Sequence, residues 1–188
     1  LDDAYLELMS DVQELLRYVW QCNNRVSLPM SGTGSAAMEA SIANFIEEEE
    51  TILIAKKGYF GDRLVDMATR YKANVVVIEK EWGDAFSLDE IKFEIEKNKP
   101  SIFAIVHAET STGVLQPLDG IGEICRKNNC LFLVDAVTSL GAVKLLVDDW
   151  KIDLAYSCSQ KGLSCPPGLS PFTTVSYTHL TLPTSYPV

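Results

Sequence analysis

The sequence predicts an α/β fold built on a mostly parallel sheet, and three observations carry that expectation. Short apolar runs at 51–55, 74–78, 101–106, 130–134 and 153–157 alternate with stretches of helical periodicity. Several of these runs stop abruptly at polar and small residues, the pattern of buried parallel strands that end at a ligand edge. No internal repeat and no Pro- or Ser-rich linker interrupts the alternation, so one domain is expected over residues 1–176.

Taken in order, residues 2–22 carry Leu6, Met9, Val12, Leu15, Leu16 and Val19 at the spacing of one helical face. A short extended piece, 25–30, leads into a small-residue turn at 31–35. Residues 36–46 then form a helix whose inner face is Met38, Ile42, Phe45 and Ile46. The acidic run 47–50 is a solvated turn. Strand 51–55, helix 61–71 and strand 74–78 follow. Helix 87–98 is closed by Pro100, and strand 101–106 precedes helix 118–128. Strands 130–134 and 153–157 complete the pattern. Residues 177–188 (YTHLTLPTSYPV) break it, being rich in Thr and Pro without periodicity.

Composition narrows the function classes. The chain has 188 residues, 47% hydrophobic and 22% charged, an ordinary globular balance. Its net charge of −10, with no basic cluster, argues against nucleic-acid binding. An anionic ligand remains compatible, because backbone dipoles bind phosphate whatever the global charge. The five cysteines are odd in number and scattered, which suggests free thiols in an intracellular, reducing compartment rather than a disulfide framework. Cys125 and Cys130 are too widely spaced for a metal knuckle, and His107 and His179 lack paired ligands, so no metal site is expected. No apolar run approaches the roughly 18 residues of a membrane span, and no signal peptide opens the chain. Because it starts at Leu1 rather than Met, the chain is expected to be a piece of a longer protein.

The functional signal lies in two stretches. LFLVDAVTS delivers Asp135 at the carboxyl end of one run, and DLAYSCSQKG delivers Ser157, Ser159, Gln160 and Lys161 after another. A carboxylate and a lysine at neighbouring strand ends are what pyridoxal 5'-phosphate requires. The amine binds its aldehyde, and the carboxylate keeps its pyridine nitrogen protonated so that the ring accepts electrons. The plainer alternative is a surface lysine and a capping aspartate. SGTGS adds a phosphate-binding possibility: Gly34 lets the backbone approach an anion, while Thr33 and Ser35 add hydroxyl donors before a helix. The same stretch fits a dinucleotide fingerprint, but no Asp or Glu ends the following strand as that fold wants. Phe60, just past a strand end, can lie flat on a bound ring or serve as a core phenylalanine. HAETSTG offers the hydroxyl of Thr110.

Four ordered stretches, SGTGSAAMEA, HAETSTGVLQPLDG, LFLVDAVTSLG and YSCSQKGLSCPPG, together resemble the alanine–glyoxylate and serine–pyruvate aminotransferases, a class V branch of the fold-type I pyridoxal phosphate enzymes. The resemblance runs from about Tyr5 to Ser176. It implies a three-layer sandwich, the large catalytic domain of such an enzyme, with a smaller C-terminal domain outside the chain. Lys161 is then the cofactor lysine and Asp135 the partner of the pyridine nitrogen. Thr33, Gly34 and Ser35 line the phosphate site with Gln160, and Thr110 and Val137 sit by the ring. Ser35 stands where the family often has histidine, and Phe60 where it usually stacks a tryptophan.

The resemblance further implies amino-group transfer from alanine or serine to glyoxylate or pyruvate, with amino acid and 2-oxo acid substrates and a homodimeric full-length enzyme. It also implies a peroxisomal or mitochondrial location. The arginine that grips the substrate carboxylate belongs to the smaller domain, so the 188-residue stretch alone is expected to be inactive. Residues 177–188 leave the family pattern and read as translated adapter sequence. Cysteine desulfurases carry histidine before the lysine, where this chain has Gln160. Phosphoserine aminotransferases share the Gln–Lys pair and remain an alternative, as does a cofactor-free α/β domain that keeps the fold.

Overall fold

A seven-stranded sheet with strand order β1-β9-β8-β7-β4-β2-β3 organises the computed structural model, which describes residues 2–175. The strands are β1 (Val26–Ser31), β2 (Thr51–Lys56), β3 (Asn74–Glu79), β4 (Ile102–Val106), β7 (Leu131–Asp135), β8 (Leu154–Tyr156) and β9 (Leu169–Thr174). A separate two-stranded hairpin joins β5 (Ala108–Glu109) to β6 (Val114–Leu115). Strands β3, β2, β4, β7 and β8 run parallel, whereas β9 is antiparallel to both of its neighbours. The mostly parallel sheet of the sequence reading is therefore present, with one reversed strand inside it. The stretch 177–188 lies outside the described residues.

Alternation along the strands builds two apolar layers. Leu53 and Ala55 of β2 face one side with Phe103, Ile105, Phe132 and Val134. Ile52 and Ile54 face the other with Ala104, Val106 and Leu133. Against the first side pack α1 (Asp3–Trp20), α4 (Leu88–Asn98) and α5 (Ile121–Lys127), through Trp20, Ile91, Ile95 and Ile121. Against the second pack α2 (Gly34–Phe45) and α3 (Tyr59–Arg70), through Ala37, Ile42, Leu64 and Ala68. Helices on both faces of one sheet make three layers. Among the described residues no helix is long and apolar enough to cross a membrane.

Beyond the unexpected β5–β6 hairpin and the later start of α5 at Ile121, three differences bear on the sheet and the site. Helix α2 begins at Gly34 rather than at 36, so Gly34 and Ser35 belong to its first turn. Helix α3 begins at Tyr59 rather than at 61, which brings Phe60 inside the helix. Strand β9 was not anticipated, because Pro171 sits within it and a proline normally demotes a strand. In the register Pro171 stands opposite Pro29 of the edge strand β1 in a pair that exchanges no backbone hydrogen bond, and the Pro171 carbonyl accepts instead from the Ser157 N–H at 2.8 Å.

The strand order also locates the crevice. From β2 the chain runs outward to β3 and then returns to β4 on the other side, so the connections diverge between β2 and β4. Ligands of open α/β sheets bind outside the carboxyl ends of the strands at such a point.

Candidate active site

Asp135 is the last residue of β7 and is 2% exposed. Its two oxygens are held separately: the Val137 N–H donates to Oδ1 at 2.9 Å, and the Tyr156 hydroxyl donates to Oδ2 at 2.8 Å. Tyr156 is Asp135's register partner on β8, so the parallel pairing itself brings phenol and carboxylate together. Burial pushes the Asp135 carboxyl up to about 6, partly offset by these two hydrogen bonds, while Glu109 raises it and Lys57 lowers it. Each carboxylate oxygen retains a free acceptor site. A buried carboxylate that is unfavourable alone is matched by a cationic N–H donor.

The segment after β8 carries the lysine. The Ser157 hydroxyl donates to the Ala136 carbonyl at 2.9 Å, tying this segment to the turn after Asp135. Lys161 is exposed, and its carbonyl accepts from the Ser164 N–H at 2.9 Å. Gly162 lies hard against the turn after β7: a Cβ there would stand 2.3 Å from the Leu140 carbonyl oxygen. Gly162→Ala is therefore expected to destabilise the fold by about 1–3 kcal/mol, the usual range for overpacking, and to displace Lys161. Thermal melting checks this, and an unchanged melting temperature contradicts it.

Helix α2 starts beside the same two strand ends. A Cβ on Gly34 would meet the Val137 side chain at 3.0 Å and Cys158 Cβ at 3.5 Å, so only glycine lets the helix come this close. Thr33 is the N-cap residue, and its hydroxyl makes no capping bond. The first amides of α2, together with the exposed Thr33 and Ser35 hydroxyls, form a donor set for an anion. Gln160 adds a buried Oε1 without a hydrogen-bond partner among the described residues. On the opposite flank, Thr110 Oγ1 and Thr138 Oγ1 are 2.5 Å apart, joining the hairpin loop to the Asp135 turn.

The structure thus brings Asp135, Val137, Gly34 and the segment carrying Gln160 and Lys161 to one sheet edge, with Thr110 beside them. Phe60 sits in the first turn of α3, half-buried against the α2–α3 cluster, with the Tyr59 ring edge-on at 5.4 Å. It packs in part as a core residue, as the plainer reading of it held. Sequence reasoning missed Tyr156, Lys57, Glu109 and Thr138. Tyr156 lay inside an apolar run, and only strand register reveals that it faces Asp135. Lys57 follows the last residue of β2 and reads as a surface residue, yet it is 1% exposed and donates to the Val106 carbonyl at 2.9 Å.

A buried carboxylate, a lysine beyond the neighbouring strand and a helix start with free donors fit the three polar ends of pyridoxal 5'-phosphate. Residues 4–177 match the Aminotransferase class-V family, and the chain belongs to it. Enzymes of this family depend on pyridoxal 5'-phosphate. A crystal structure of an alanine–glyoxylate aminotransferase from Nostoc sp. superposes with a TM-score of 0.92 at 58% identity, covering 93% of this chain and 46% of that one. The (S)-ureidoglycine–glyoxylate transaminase of Bacillus subtilis is 46% identical over 92% of this chain and 41% of its own length. The alanine–glyoxylate aminotransferase of Drosophila melanogaster is 41% identical over 89% of this chain and 43% of its own. The chain spans less than half the length of these relatives.

Proposed function

We propose that this chain is the cofactor-binding part of an aminotransferase that moves an amino group from alanine or serine to glyoxylate or pyruvate. One observation carries the reading. The buried, doubly held Asp135 carboxylate stands at the carboxyl end of β7, next to the strand that leads to Lys161. When bound, pyridoxal 5'-phosphate supplies an aldehyde for the amino group and a ring that withdraws electrons from the substrate Cα.

The chain's own residues then divide the work. Lys161 Nζ holds the cofactor in the resting enzyme, and its freed amine moves the proton at the substrate Cα. Asp135 keeps a positive charge on the pyridine nitrogen. Thr33, Gly34, Ser35 and Gln160 orient the phosphate, and Thr110, Val137 and Phe60 confine the ring. The glyoxylate acceptor is supported by two different relatives, an alanine–glyoxylate and a ureidoglycine–glyoxylate enzyme, each at 46% identity or more. The second of these makes ureidoglycine an alternative donor. Mixing the cofactor-loaded full-length enzyme with alanine, serine or ureidoglycine, and following the cofactor absorbance before adding glyoxylate, ranks the donors. No spectral change with any of the three contradicts the reading.

A homodimer belongs to the proposal. Helix α1 leaves Leu8, Leu15 and Tyr18 exposed along one side, and an apolar face of this kind supports a covering partner. A monomeric mass by light scattering at micromolar concentration contradicts it.

Phe60→Ala is expected to weaken pyridoxal phosphate binding by about tenfold, the upper end of a lost aromatic contact, whereas Phe60→Trp keeps or modestly tightens it. Fluorescence titration of the apo-protein measures both. An alanine variant that binds as tightly as the parent returns Phe60 to a purely structural role.

A further inference from the structure

The first turn of α3 has no local cap. Its N-cap residue is Gly58, and no side chain nearby in sequence satisfies its amides. The loop after β4 does so instead, from about 50 positions away. The Tyr59 N–H donates to Ser111 Oγ at 2.9 Å. The Phe60 N–H donates to Glu109 Oε1, and the Gly61 N–H to Glu109 Oε2, both at 3.4 Å. The next amide, Asp62, already donates within the helix to the Gly58 carbonyl. The amides of Tyr59, Phe60 and Gly61 are thereby matched, and the carboxylate sits at the positive end of the helix dipole. Ser111 is itself bound to Glu109, since its hydroxyl donates to Oε1 at 2.7 Å and its amide at 3.2 Å.

Two further features show a built arrangement. Glu109 is 1% exposed, and the buried Lys57 is its electrostatic partner. Lys57 spans the crevice between the ends of β2 and β4. The absence of a side chain at Gly58 makes the room: a Cβ there would lie 2.4 Å from Glu109 Cγ and 2.6 Å from Ser111 Oγ.

We propose that Glu109 is a positioning residue for the cofactor ring: with Ser111 it clamps the first turn of α3 and so fixes where Phe60 stands. The inference rests on the functional reading above, in which Phe60 confines the ring. Glu109 touches neither cofactor nor substrate in this role. It acts through the amides of the turn that carries Phe60, while the neighbouring Thr110 on the same loop reaches the Asp135 turn through Thr138. One loop therefore sets both walls of the ring site.

The test uses the whole chain in two arms. In the apo-protein, Glu109→Gln puts an NH₂ donor against one of the two amides and removes the charge facing Lys57. Amide exchange at Phe60 and Gly61 is expected to speed up by about tenfold. Ser111→Ala, a milder change, is expected to do the same at Tyr59 if the glutamine variant folds poorly. In the second arm, pyridoxal phosphate affinity is measured for Glu109→Gln, Phe60→Ala and the pair. Each single change is expected to weaken binding by about tenfold, and the pair scarcely more than either, because both act on one contact. Unchanged exchange, or losses that multiply in the pair, overturns the clamp while leaving the functional reading intact. A parent chain that binds no pyridoxal phosphate overturns the functional reading and the aim of the clamp together.

Discussion

In the full-length enzyme, replacing Lys161 by alanine is expected to abolish multiple turnover and to erase the absorbance that marks covalently held cofactor. The expectation follows from placement. The segment after β8 reaches the sheet edge, packs through Gly162 against the turn that follows Asp135, and leaves the Lys161 side chain exposed at that edge. The other lysine near the edge, Lys57, is buried and spends its ammonium on the Val106 carbonyl. Among the described residues no other lysine at this edge is therefore poised to take over. Losing a covalent catalyst that is also the proton carrier removes two contributions at once, each worth on the order of 10²-fold or more. An alanine variant that turns over within tenfold of the parent contradicts the assignment.

Asp135→Asn should have the second largest effect, with opposite signs on stability and function. The amide keeps the shape of the carboxylate and can still accept from Val137 and bond to Tyr156, but it carries no charge to hold a pyridinium. Comparable losses of an oriented carboxylate reduce rates by about 10²–10⁴. A variant within about threefold of the parent rate, an effect under 1 kcal/mol, removes Asp135 from the mechanism. The apo-protein should respond differently. The folded carboxyl titrates near 6, above its ordinary 3.8, so the fold favours the protonated form. That contribution is fully present below about 3.8 and is lost as pH rises through 6. Above pH 6 the parent carries a buried carboxylate that the asparagine variant lacks. The variant should then melt higher than the parent by an amount on the order of 3 kcal/mol, and the gap should close toward pH 4. Paired melts at pH 4 and pH 8 measure it. A variant less stable than the parent at both values refutes the electrostatic account.

Much of this site is legible in the sequence because parallel strands are short, apolar and buried on both faces. Their ends are therefore visible as abrupt changes of residue type, and Asp135 and Lys161 stand at two such ends. The loop SGTGS is legible for a similar reason, since close backbone approach demands glycine and Gly34 touches Val137. What stays hidden depends on pairing across the chain. Tyr156 looks like one more apolar strand residue until the β7–β8 register sets it against Asp135. The start of α3 looks uncapped because its caps, Glu109 and Ser111, belong to a distant loop. Lys57 reads as solvent-facing because burial of a lysine is decided by the strand beside it. Strand β9 is hidden by Pro171, which reads as a strand breaker, although its carbonyl still accepts from the Ser157 N–H beyond the end of β8.

The central claim is that Lys161 is the amine that holds the cofactor, and its most direct test is chemical. The protein is incubated with pyridoxal 5'-phosphate, reduced with borohydride, digested and mapped by mass spectrometry. The expected result is a single reduced cofactor adduct on the peptide that contains Lys161, and none in the Lys161→Ala variant. An adduct on Lys57, or spread over surface lysines with Lys161 unlabelled, contradicts the account.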